Sequence, residues 1–104
     1  PSPIPVDRII EVVARKSQVD VKEIRGKHKT ARLVNARHVA MYLARHLTEL
    51  STPEIGRAFG KDHSSVMYAC EKIKREVATH PQMGQWVTRL MEEIKESNGQ
   101  TKNL

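Results

Sequence analysis

A single cysteine, one tryptophan, one phenylalanine and two tyrosines leave this 104-residue chain short of several kinds of chemistry. Cys70 alone excludes an intrachain disulfide and a cysteine-based zinc site, so a reducing compartment, the cytoplasm, fits. With no obvious partner histidine for a catalytic thiol, Cys70 is expected in the core. So few aromatic rings argue against base stacking, the usual route to single-stranded nucleic acid. No apolar run approaches the length of a membrane-spanning helix, so no membrane is expected as a partner. The opening Pro1-Ser2-Pro3-Ile4-Pro5 has neither the charged leader nor the long apolar stretch of a secretory signal. His28, His38, His46, His63 and His80 form no H-E-x-x-H pair, and no metal site is expected.

What the chain does have is positive charge. Lys and Arg number 18 against 12 acids, a net +6 with His neutral. Such a field attracts polyanions. With single strands and membranes disfavoured, duplex DNA is the better partner.

Hydrophobic periodicity gives an all-α reading: no segment alternates like a strand, and no repeat is visible. The length suits one domain. Residues 1–5 read as a linker or edge, because proline removes donors and restricts its neighbours. Ile9, Ile10, Val12 and Val13 predict a helix from residue 6 to about 16. Asp20 can cap a short helix over 21–24 that stops near Gly26. Residues 25–37 carry Arg25, Lys27, Lys29, Arg32 and Arg37 without an acid, the most basic patch of the chain. Ala36, Val39, Ala40, Leu43, Ala44, Leu47 and Leu50 then predict a long helix with one buried face. Ser51-Thr52-Pro53-Glu54 is a capping box with proline in the first turn. The helix it starts buries Ile55 and Phe59 and ends at Gly60. Asp62 caps the next, which turns Val66, Ala69, Cys70 and Ile73 inward. Pro81 opens a last helix with Met83, Trp86, Val87, Leu90, Met91 and Ile94 as its stripe, and Trp86 reads as core. Glu92, Glu93 and Glu96 against Lys95 read as a solvated face. The folded domain is expected over 6–96, and residues 97–104 as a flexible tail.

Two helices over 52–59 and 63–75, joined by a tight turn, match a helix-turn-helix. In that motif the first helix braces on the backbone and the second presents its N-terminal side chains to the major groove. Here that N-terminus is Lys61-Asp62-His63-Ser64-Ser65. Lys61 can pair with a phosphate, and Asp62 can accept from cytosine N4 while capping its own helix. His63, Ser64 and Ser65 can donate to base edges or phosphates. The competing reading of these residues is an ordinary solvated capping turn.

The run Ala36-Arg37-His38-Val39-Ala40-Met41-Tyr42-Leu43, then Leu47-Thr48, then Pro53 through Cys70 resembles the C-terminal DNA-binding domain of the bacterial replication initiator DnaA family. The resemblance covers residue 6 to about 94. It implies a small Trp-repressor-like helical bundle that binds the DnaA boxes of a replication origin, as one monomer per site, in a bacterial cytoplasm on the nucleoid. It further implies that Asp62, His63, Ser64 and Ser65 read the major groove, with Pro53 as an apolar contact. Lys29 stands at the minor-groove position of a basic loop that also holds Lys27, Thr30 and Arg32. Arg37, Arg45 and Lys72 stand at phosphate-contacting positions, and Lys61 and His38 complete the expected DNA-binding set. Two departures stand out: Ser64 and Ser65 replace the family's usual threonines, and Ala31 sits where the loop often has another arginine.

No enzyme activity and no cofactor are expected of this domain. Full-length initiators of the family carry ATP on a preceding ATPase domain, but Gly56-Arg57-Ala58-Phe59-Gly60-Lys61-Asp62 is one residue short of a phosphate loop and ends in Asp, which repels phosphate. Two other functions remain open on sequence alone. One is a transcription regulator or transposase-associated protein with a borrowed domain of this family. The other is a protein-interaction module whose basic patch binds an acidic partner.

Overall fold

The structure is a computed structural model that describes residues 3–99. Among those residues the chain forms six helices and no strand: α1 Val6–Ser17, α2 Val21–Ile24, α3 Ala31–Leu47, α4 Thr52–Phe59, α5 His63–Thr79 and α6 Pro81–Ser97. None is long and apolar enough to cross a membrane.

α3 is the axis. It packs against each of the other helices, most extensively against α5 and α1. The expectation of one buried face therefore falls short: besides Ala36, Val39, Ala40, Leu43 and Ala44, it also buries Leu33, Met41 and Tyr42. A helix surrounded on several sides has little solvent face to keep polar. It also stops earlier than the apolar spacing predicts. Thr48 leaves helical geometry, and its Oγ1 donates to the Ala44 carbonyl at 2.7 Å. Leu50 thus packs on the core from a loop.

Local caps account for most of the other boundaries. Asp20 accepts from the Lys22 amide at the start of α2. Ser51 and Glu54 close the reciprocal box at the start of α4, at 3.2 and 2.8 Å. Gly60 ends α4 at φ 68, a left-handed conformation that glycine adopts without steric cost. The Gly60 and Lys61 amides return to the Arg57 and Gly56 carbonyls at 3.3 and 2.8 Å, a Schellman closure. α5 runs past the expected residue 75 to Thr79, and Pro81 then starts α6 after His80 alone.

The ends are packed as well. Ile4, expected in a linker, is 8% exposed and joins the core. Arg8 donates to the Ser97 carbonyl at 2.6 Å, and Arg15 and Lys16 both pair with Glu93. Glu93 thus clasps α1 to α6 rather than lying on a merely solvated face. Residues 1–2 of the expected linker and 100–104 of the expected tail lie outside the described residues.

The turn between α4 and α5 leaves no room at Gly56. A Cβ there would meet the Lys61 carbonyl oxygen at 2.6 Å and the Asp62 carbonyl carbon at 3.2 Å. Both are backbone atoms of the turn, so neither can swing aside. Gly56→Ala is expected to cost about 1–3 kcal/mol through this overpacking, despite alanine's better helix propensity. Urea unfolding at wild-type stability would show that the turn yields.

Candidate nucleic-acid interface

The first turn of α5 is anchored by buried Val66 and exposes the residues before it. Asp62 is its N-cap, and one carboxylate oxygen accepts from the Ser65 amide at 2.9 Å and from the Ser64 hydroxyl at 3.0 Å. These bonds, the Ser65 backbone first, hold the exposed carboxyl below its usual range. The cap orients the turn and leaves His63, Ser64 and Ser65 exposed beside it. Pro53 is exposed on the first turn of α4.

The basic segment divides in two. Thr30 caps α3, accepting from the Leu33 amide at 3.3 Å. Arg32 therefore lies on a helix rather than in a loop, and it is exposed there, as Lys27 and Lys29 are on the loop ahead of it. That loop is fastened to the helix-turn-helix at two points. Lys61 Nζ donates to the Gly26 carbonyl at 2.8 Å, and Arg25 Nε donates to the Ala58 carbonyl at 3.1 Å. Arg25 also pairs with Asp7 of α1. Lys61 reads from sequence as a free phosphate partner; here one of its protons is already engaged in holding the loop.

Arg37 requires a correction. Expected at a phosphate, it is 5% exposed. Its Nε donates to the Ile24 carbonyl at 2.6 Å, and its Nη2 to the Glu23 and His28 carbonyls at 2.8 and 3.1 Å. A planar fork with several donors suits a cluster of carbonyls at the end of a short helix. Arg37 organises the basic loop from inside.

A shallow cleft joins the loop to α3 and α5, lined by Lys29, Arg37, His38, Lys61 and Ser65 among others. Burial, then the charges of Arg37, Lys27 and Lys29, push the Lys61 ammonium below its usual value. Each of these three cations thus disfavours the charge on Lys61. His38 lies edge-on to Tyr68 of α5, with ring centroids 5.8 Å apart. Its Nδ1 is enclosed without a partner among the described residues. Burial, then Lys72 and Arg37, lower its pKa, while Glu76 opposes them. Lys72 is half-buried on α5 and approaches Glu76 at 3.9 Å. Arg45 is exposed two turns along α3 from His38, apart from the cleft residues.

Met67 and Tyr68 fall outside the DNA-binding set expected from sequence, where Arg25 counts only as one member of the basic patch. Met67 and Tyr68 are 53% and 59% exposed, the large apolar side chains that the described surface leaves open. Their signal is visible in the spacing: both fall off the inward row of Val66, Ala69 and Ile73. Cys70 is half-buried, and burial raises its thiol pKa.

A short bracing helix, a Schellman turn and a long helix with an exposed polar start define a helix-turn-helix domain. The chain belongs to a particular family of such domains, the bacterial dnaA protein helix-turn-helix, whose family model matches residues 6–73. It is 41% identical over 91 residues to the chromosomal replication initiator protein DnaA of Lactobacillus delbrueckii subsp. bulgaricus, covering 86% of this chain and 20% of that protein. The DnaA of Mycobacteroides abscessus is 43% identical over 88 residues, covering 85% of this chain and 18% of that protein. That of Treponema pallidum is 38% identical over 98 residues, covering 93% and 21%. The chain spans about a fifth of the length of these relatives.

Two measurements follow from this geometry. Arg37→Lys keeps the charge but loses the fork, and is expected to lower stability by about 2–4 kcal/mol as charge-assisted bonds to carbonyls are lost. A role at phosphate alone would leave urea unfolding unchanged. For His38 the sign is set by its lowered folded pKa. The unfolded chain takes up the proton more readily, so stability is full above the ordinary value of 6.5 and declines as pH falls below it. His38→Gln should flatten that decline in thermal melts between about pH 8 and pH 5. Parallel curves for variant and wild type would remove His38 from the acid response.

Proposed function

We propose that this domain binds duplex DNA sequence-specifically, recognising DnaA boxes at a replication origin as part of chromosomal replication initiation. One observation carries the reading. The basic loop and the exposed start of α5 are fastened to each other by the Lys61 to Gly26 bond, at 2.8 Å. Two binding elements on one rigid frame suit a duplex, in which major and minor grooves lie side by side.

In this reading Asp62, His63, Ser64 and Ser65 enter the major groove, with Pro53 beside them as the apolar contact. Lys29, with Lys27 and Thr30 of the same loop, reaches the adjacent minor groove, whose narrow A·T-rich form concentrates negative potential. Arg32, His38, Arg45, Lys61 and Lys72 serve the phosphates. The exposed amides at the start of α5 add donors for an anion. The helix-turn-helix family and the DnaA names of the relatives support this assignment. The domain acts by binding alone, as one monomer per site, in the bacterial cytoplasm on the nucleoid, without a cofactor of its own.

The test begins with selection of bound duplexes from a random library, followed by titration of the selected duplex and a scrambled one across salt. With Arg37 withdrawn from the phosphate set, about 3 to 5 neutralised phosphates give a log–log salt slope of about −3 to −5. His63→Ala should weaken the selected duplex by about 1–3 kcal/mol and leave the scrambled one nearly unchanged. Equal binding of both duplexes by the wild type would sink sequence-specific recognition.

A further inference from the structure

α5 carries an aromatic ring where a groove-reading helix has no structural need for one. Tyr68 is 59% exposed, off the buried row of Val66, Ala69 and Ile73. Its phenol makes no hydrogen bond among the described residues, and its ring approaches His38 edge-on, with centroids at 5.8 Å. An unburied ring held this way contributes little to the core, and the ring it meets belongs to α3.

The position is informative. Tyr68 lies one turn beyond Ser64, so the two share a helix face, and Lys72 lies one turn further on. Glu71 is the other neighbour one turn on, and a phosphate avoids its carboxylate. The ring instead leans toward His38, whose charged surroundings are Arg37 and Lys72 as cations and Glu76 as the opposing acid. Tyr68 therefore tilts to the cationic flank of α5, away from Glu71.

We propose that Tyr68 is a further DNA-positioning residue: its phenolic O–H donates to a phosphate of the duplex, on the flank between Ser64 and Lys72, with His38 bracing the ring. The proposal rests on the duplex-binding reading. His38 holds the ring so that the hydroxyl meets the phosphate already oriented, and the contact fixes how α5 sits along the groove without reading a base. Because the hydroxyl is neutral, it releases no counterion.

Tyr68→Phe removes only the hydroxyl, keeps the ring on His38, and alters an exposed atom, so the fold is retained. Its binding is compared with wild type on the selected and scrambled duplexes across salt, and on selected duplexes carrying one methylphosphonate at each backbone position in turn. The expected result is a loss on the order of tenfold on both duplexes, with an unchanged salt slope. At one backbone position the methylphosphonate should weaken the wild type but add nothing to the variant, a coupling that a structural role would not produce. A loss confined to the selected duplex would place the hydroxyl at a base edge and overturn the proposal. Wild-type affinity in Tyr68→Phe, with His63→Ala still losing its preference, would overturn it and leave the DNA reading standing. Failure of the wild type to bind duplex would overturn both.

Discussion

Burying a guanidinium is costly unless its protons find acceptors, and Arg37 finds them only if the chain from Glu23 to His28 turns back over α3. The carbonyls of Glu23, Ile24 and His28 converge on it. This requirement dictates the path of the loop that follows α2. A loop with Arg25, Lys27 and Lys29 and no acid has no apolar surface of its own to order it, and its charges favour extension. One internal cation, coordinated by backbone, gives it a fixed course. The arrangement also explains why the loop meets the α4–α5 turn: once Gly26 is placed, its carbonyl lies within reach of Lys61.

A frame built this way concentrates like charge. Lys61 carries the mark of it: burial first, then the charges of Arg37, Lys27 and Lys29, push its ammonium below the usual value. In a monomer such crowding is destabilising. A polyanion reverses its sign, because each added phosphate relieves repulsion as well as gaining its own attraction. The loop is thereby organised in advance for a ligand that it cannot replace with internal acids, and the ordering entropy is met on folding rather than on binding.

Much of this could be read from residues alone, for identifiable reasons. Signals confined to a few adjacent positions survived intact: Asp20 for α2, the Ser51–Glu54 box for α4, Gly60 for the turn, Asp62 for α5 and Pro81 for α6. Each works within one turn of chain and does not depend on what lies across the core. Properties set by distant contacts were not legible. Arg37 looks like any surface arginine until α2 folds over it, and Ile4 between two prolines looks like linker until it meets the core. Arg32 reads as loop because Thr30, its helix cap, sits inside a run of charges that hides the boundary. Leu50 kept the apolar rhythm of α3 although Thr48 had already ended the helix. For the candidate site, the exposed start of α5 was plain, while the division of the cations into anchors and free side chains was not.

That division changes what the basic patch can do. If every cation of residues 25–37 were free, the segment would act as a diffuse electrostatic arm, sampling many positions along a duplex. With Arg37 internal, Arg25 bound to Ala58 and Asp7, and Lys61 bound to Gly26, the exposed Lys27 and Lys29 hold a defined offset from α5. In the proposed reading, a fixed offset converts two weak contacts into one geometric condition, since both grooves are then engaged at the spacing the protein sets. In the proposed reading, selectivity of this kind comes from the frame as much as from any base-reading side chain, and the frame depends on Arg25 and Arg37, which stand outside the proposed DNA-contacting set.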